Sequence, residues 1–159
     1  MHIFNLLPTK KSQKWFIKHK LNLPAMSSAL TLLYAEIEPS KAVNLKKIKI
    51  QILFKSDSSM YEFKTNKLYI TDMPYIKSDS LRTKHLMIFD HILHEFRHWM
   101  QSQVYKRSAR ELTYTDEDVM KNTVAYYRNE LEKDARQFVR QYIVKYYRYY
   151  TRFAKIYQQ

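Results

Sequence analysis

The 159-residue sequence predicts an α+β fold, with a small antiparallel sheet packed on one central helix and a long helix towards the C-terminal end. Three observations carry this. Residues 81–105 contain no Pro or Gly, and their apolar side chains recur at helical spacing. Residues 43–54 switch to a period of two, with Leu45, Ile48, Ile50, Ile52 and Phe54 alternating in large part with Lys and Gln, as in a half-exposed strand. From Glu132 onward an apolar-aromatic stripe of Ala135, Val139, Tyr142, Ile143, Tyr146, Tyr150 and Phe153 again has the helical period. The length suits one domain over residues 1–159.

In chain order, residues 10–20 read as a basic amphipathic helix, with Pro24 stopping it or opening the next element. Residues 25–36 read as a second helix ending before Pro39, and the strand of residues 43–54 follows. Residues 60–64 and 67–71 flank Thr65-Asn66 and predict a hairpin. Asp72, Pro74, Ser78, Asp79 and Ser80 make a loop and a cap for the helix of residues 81–105. Thr115-Asp116-Glu117-Asp118 opens another helix with its acidic residues at the positive end of the dipole.

Composition excludes several function classes. Glycine is absent, which removes Gly-rich phosphate loops, the dinucleotide fingerprint and the nucleophile elbow, and leaves turns to Asn, Asp, Ser and Pro. Cysteine is absent too, so disulfides and thiolate ligands are ruled out and a cytoplasmic location is expected. No apolar run is long enough for a transmembrane segment. The start, Met1 to Pro8, has no basic region ahead of its apolar residues and no small-residue cleavage site, so a signal peptide is not expected.

The chemistry lies in His94-Glu95-Phe96-Arg97-His98. Residues four apart on a helix project from one face, so the two imidazoles can hold one metal ion, and Glu95 beside them can deprotonate a metal-bound water. On a helical wheel Ile88, Phe89, Ile92, Phe96, Trp99 and Met100 form the core stripe together with Leu81. His94 and His98 fall away from it, and Glu95 lies between.

A catalytic zinc usually keeps three protein ligands and one open position. Glu132 projects along the edge of the C-terminal stripe, whereas Glu130 points to nearly the opposite face and reads as a solvated charge. Glu132 is therefore the candidate third ligand. Its competing role is structural, since Asn129 with Glu at the third position after it can form an N-terminal capping box.

The pattern His-Glu-x-x-His followed by a helix opening Glu-x-x-Ala-x-x-Phe resembles the gluzincin metallopeptidases. It is similar in particular to the small ImmA/IrrE-type proteins of phages and mobile elements, and more distantly to the membrane prenyl-protease type. The resemblance spans roughly residues 90–139. It implies a minimal zincin-like fold, a Zn2+ cofactor on His94, His98 and Glu132, and Glu95 as general base. Ala135 and Phe138 match the small and aromatic positions after the glutamate. Arg136 stands where related families often carry Asp or Asn, and Phe96-Arg97 replaces a Gly-containing motif interior.

The implied activity is hydrolysis of peptide bonds in a protein substrate. An extended peptide would add to a free edge at residues 68–71, with an oxyanion donor drawn from Tyr114, Tyr126, Tyr127 and His91, unless His91 supports the metal ligands from behind or, the favoured alternative, is a surface residue. His and carboxylate also bind Fe, Co, Ni and Mn. The net charge of +13, from 28 Lys and Arg against 15 Asp and Glu, predicts attraction to an acidic partner or nucleic acid. Arg136, Arg140, Lys145, Arg148, Arg152 and Lys155 share the last helix with many tyrosines, which read either as base-stacking groups or as half-buried core. Two other readings therefore stand beside the peptidase: a nucleic-acid-binding module with a vestigial motif, and a partner-binding protein with a structural metal site.

Overall fold

The computed structural model describes residues 4–40, 46–77, 80–121 and 123–158. It is a mixed α+β chain, with 64% of the described residues helical, a small four-stranded sheet and a long C-terminal helix. Two compact units divide it: Met1–Gln51 with Tyr142–Gln159, and Ile52–Gln141. Among the described residues no helix is long and apolar enough to cross a membrane.

The first unit begins with strand β1 (Phe4–Pro8), which the sequence pattern did not reveal, and continues through α1 (Lys10–Lys18) and α2 (Leu23–Ile37) into β2 (Lys46–Leu53). Strand β1 runs parallel to β2, with Phe4 opposite Lys46 and Pro8 opposite Ile50. The sheet is thus mixed and not purely antiparallel as the sequence suggested. A parallel pair needs a long crossover, and the two intervening helices supply it. The other side of β1 is closed by side chains of α2: Phe4 N–H donates to Thr31 Oγ1 at 3.0 Å and Leu6 N–H to Ser27 Oγ at 3.1 Å. Asn22 caps α2 by accepting from Ala25 N–H at 2.9 Å, and Pro24 sits in its first turn, where a missing N–H is harmless. In β2, Ile48, Ile50 and Ile52 are buried while Lys47 and Lys49 are exposed, as the period of two requires. Val43 and Leu45 of the expected strand lie outside the described residues, and Phe54 falls beyond its end.

The second unit holds β3 (Met60–Glu62), β4 (Lys67–Thr71), α3 (Met73–Lys77), α4 (Leu81–Gln103), a 3₁₀ turn (Ala109–Glu111), α5 (Asp116–Lys121), α6 (Val124–Arg128) and the start of α7 (Glu130–Tyr157). Strands β3 and β4 form the expected antiparallel hairpin, with Tyr61 opposite Leu68. Its connection is longer than two residues, and Asn66 takes a positive φ of 55° to close it. The other positive-φ positions among the described residues are Lys20, Lys55 and Lys106. Lysine therefore takes most of the left-handed positions in a chain without glycine, at roughly 1–2 kcal/mol of backbone strain each. Asn66 serves its turn as expected, and among the described residues lysine takes the other three left-handed positions, which the expectation did not include.

Helix α4 is capped by Ser80, which accepts from Thr83 N–H at 3.1 Å, while Ser78 and Asp79 lie outside the described residues. Ile88, Phe89, Ile92, Phe96, Trp99 and Met100 are buried as the wheel predicted, and Leu93 joins them. Each such side chain contributes about 1.5–3 kcal/mol relative to exposure. Leu81, placed on that stripe by its spacing, is 54% exposed in the first turn. Thr115 caps α5 as read, accepting from Asp118 N–H at 3.2 Å while Thr115 N–H donates to Asp118 Oδ2 at 2.8 Å.

Candidate metal centre

Helix α4 places His94 and His98 one turn apart, with ring centroids 5.0 Å from each other. The first turn of α7 brings Glu132 between them. Its Oε2 lies 2.8 Å from His94 Nε2 and its Oε1 lies 3.0 Å from His98 Nε2. Glu132 and His98 are buried and His94 is half-buried. One ligand atom from each of the three lies within 4.8 Å of the others. Two imidazoles and a carboxylate suit a divalent ion bonded at about 2.0–2.2 Å, with small side-chain adjustments. The set can hold a metal. Glu130 is exposed and far from this role, paired loosely with Lys133 at 3.7 Å.

The competition for Glu132 is resolved by dividing the residue. Asn129 caps α7 with its Oδ1, accepting from Leu131 N–H at 3.1 Å and Glu132 N–H at 3.3 Å. The Glu132 side chain does not complete the box, because its carboxylate is engaged by the two histidines and by the Tyr114 hydroxyl. The cap orients the backbone, which leaves the carboxylate for the site. Burial pushes the Glu132 carboxyl up, but hydrogen bonds from His94 and His98 outweigh it and hold the group well below its usual range.

Gln101 and Asp134, which the sequence reading missed, orient His98. Gln101 Nε2 donates to Leu131 O at 2.9 Å and to Asp134 Oδ2 at 2.8 Å, which fixes the amide so that its Oε1 faces His98 Nδ1 at 2.7 Å. An oxygen can only accept, so Nδ1 carries the proton and Nε2 presents its lone pair whenever the ring is neutral. Asp134 is held in turn by Arg97, through Nε at 2.8 Å and a second guanidinium nitrogen at 3.3 Å. The motif's interior residues therefore have their own work: Phe96 is fully buried, and Arg97 ties α4 to α7. The available signal was the spacing of Gln101, three residues after His98 and so on the same helical face. We predict that Gln101→Leu weakens metal binding by roughly 10–100-fold without unfolding the protein. Isothermal titration with zinc checks this; parent-like affinity would remove Gln101 from the role.

Glu95 is 5% exposed, and so is not on a solvated face. The main-chain N–H of Tyr61 hydrogen-bonds its carboxylate. Burial raises the Glu95 carboxyl, and the charges of His94 and His98 offset this only in part. His98 is likewise buried, although the wheel had set both histidines away from the core.

The site opens into a cavity of about 490 Å³ lined by Tyr61, His94, Glu95, Tyr114, Tyr126 and Glu132, with an apolar side of Met60, Phe63, Leu112 and Val119. Tyr114 donates to Glu132 Oε1, and Tyr126 packs edge-on against it at 5.0 Å. Burial and the Glu132 charge push both phenols up, so they remain proton donors. The other two named donors are placed elsewhere. Tyr127 is 53% exposed beneath the Arg136 guanidinium. His91 is half-buried, not a surface residue. It meets Ser59 Oγ at 2.8 Å, and burial with the neighbouring His94 pushes it down to about 4.

The free strand edge also differs from expectation. Strand β4 pairs with β3, and Asp72 at its end bonds Leu53 O at 3.1 Å. Strand β4 is interior to the sheet and β3 is an edge strand, whose Met60 and Tyr61 line the cavity.

No family model matches the chain, and neither does any curated protein or solved structure.

Proposed function

We propose that this chain is a zinc-dependent metallopeptidase that hydrolyses a peptide bond of a protein substrate. The observation that carries the reading is the convergence of His94, His98 and Glu132 on one point, with the buried Glu95 carboxyl beside them at the wall of a cavity. The sequence resemblance to gluzincins, and to the small peptidases of mobile elements among them, points the same way.

When bound, zinc supplies Lewis-acid polarisation of the scissile carbonyl and lowers the pKa of a coordinated water. Glu95 accepts the proton of the attacking water and returns it to the leaving amine, and a carboxyl raised by burial is better matched to that exchange at neutral pH than an ordinary one. The Tyr114 hydroxyl, with Tyr126 behind it, turns from Glu132 Oε1 to donate to the oxyanion as it develops. The substrate runs extended along β3. It places an apolar side chain against Met60, Phe63, Leu112 and Val119.

The test is elemental mass spectrometry of the purified chain beside His94→Ala and Glu132→Ala, followed by incubation with a fluorogenic peptide library. About one zinc per chain, lost in both variants, with cleavage that a chelator stops, is the expected result. A folded chain that neither carries nor takes up a divalent metal overturns the proposal.

A further inference from the structure

The net charge of +13 is not shared between the two compact units. Met1–Gln51 with Tyr142–Gln159 carries 13 Lys and Arg against two acidic residues, Glu36 and Glu38. The unit that holds the metal cluster carries 15 against 13. One unit is therefore a polycation of formal charge +11, and the other is close to balanced.

The cations of the first unit stand on the surfaces of three of its elements. On α1, Lys10, Lys14 and Lys18 are exposed along the side opposite the buried Trp15 and Phe16. On β2, Lys47 and Lys49 alternate outward from Ile48 and Ile50. On α7, Arg148, Arg152 and Lys155 are exposed and fall on one helical face at spacings of four and three. No carboxylate lies within ion-pair range of these three side chains among the described residues. Glu36, one of the two acids, is already taken by Lys145 at 3.0 Å and by the Tyr146 hydroxyl. Beyond Asp134 the chain has no acidic residue at all. Leaving so many like charges unneutralised opposes folding through self-repulsion, so a use outside the fold is implied.

We propose that this unit binds the phosphate backbone of a nucleic acid, independently of the metal site. A polyanion with charge uniform along its length suits cations spread over three elements, whereas an acidic protein would have to match their placement carboxylate by carboxylate. A membrane surface fits less well. An interfacial helix keeps an apolar face for the lipid, but the aromatic face of α7 is already used: Tyr146 and Tyr150 are 2% exposed, and the Tyr150 hydroxyl accepts from Asn22 N–H at 3.2 Å. Tyr146 and Tyr150 are therefore core groups, Tyr147 and Tyr149 beside them are half-buried, and the phosphate contacts carry the affinity.

The experiment is fluorescence anisotropy of the full chain with a labelled 20-base-pair DNA duplex and a labelled 20-nucleotide RNA strand, from about 50 to 200 mM salt. Vesicles of phosphatidylserine and phosphatidylcholine run in parallel. The variant Arg148→Gln/Arg152→Gln/Lys155→Gln is compared with Lys64→Gln/Lys77→Gln/Arg82→Gln, which removes the same charge from exposed positions of the other unit. Circular dichroism checks that both fold. The expected result is salt-dependent binding of at least one nucleic acid. The first variant should weaken it at least tenfold and flatten the log–log salt slope by about 2–3. The second variant should leave both within about twofold. Equal loss in the two variants, no binding at about 50 mM salt, or binding to vesicles alone overturns the proposal. The duplex and single-strand arms identify which nucleic acid is taken.

Discussion

If the proposed activity holds, Glu95→Gln should lower the rate of peptide hydrolysis by about 10²–10⁴-fold while the bound metal stays at the parent level. The two halves of this expectation have separate causes. His94, His98 and Glu132 converge without Glu95, so the amide leaves the donor set intact. Glutamine keeps the shape and can still accept from Tyr61 N–H, but it cannot take a proton from water. Stability moves the other way. The Glu95 carboxyl is raised by burial, so the folded protein favours its protonated form and loses stability as pH rises above the ordinary carboxyl value. Glu95→Gln should therefore raise the melting temperature of the metal-free protein at pH 7, an advantage that disappears near pH 4. Steady-state cleavage, metal content and thermal melts at the two pH values test the set together. Retained cleavage in the variant would rule out Glu95 as base, and a drop in metal content would make it a ligand or a prop.

The legible part of this site is the part that one helix determines locally. His94 and His98 meet because four residues make about one turn, and Ile88, Phe89, Ile92 and Phe96 were placed in the core for the same reason. Glu132 was separable from Glu130 because two residues on a helix differ by about 200° in direction. What escaped depends on partners distant in sequence. Strand β1 has no periodic signal of its own and is held by Thr31 and Ser27, 27 and 21 residues away. The edge strand could not be told from its neighbour, since β3 and β4 carry similar patterns and only the pairing order separates them. Burial of His98 was missed because a wheel shows one helix's own apolar side, whereas Gln101, Leu131 and Asp134 cover the polar side from α7 and from α4 itself.

Glu132→Ala should lower zinc affinity by more than the roughly 10–100-fold typical of an orienting partner, and it should also change how the metal-free protein responds to pH. In the parent, burial works against the His98 imidazolium, but the Glu132 hydrogen bond and the charge of Glu95 overcome it and raise the group to about 9. A raised histidine contributes stability that is complete below its ordinary value of 6.5 and lost as pH rises through about 9. Glu132 is shifted down, so its contribution is complete above its ordinary value of 4.5 and lost as pH falls. The metal-free cluster is thus most stabilising between about pH 4.5 and 6.5. Zinc reverses the upper limb, because it competes with protons for the imidazoles and its stabilisation grows as they become neutral. Thermal melts from pH 4 to 9, with chelator and with zinc, should therefore diverge as pH increases in the parent. In Glu132→Ala the chelated protein should lose much of the decline between pH 6.5 and 9, since His98 keeps Glu95 and Gln101 but no longer has the hydrogen-bonded carboxylate that raised it most, and added zinc should shift the melt little. Parallel curves for parent and variant would mean that Glu132 neither raises His98 nor binds the ion, and the three-residue cluster would lose its role as a metal site.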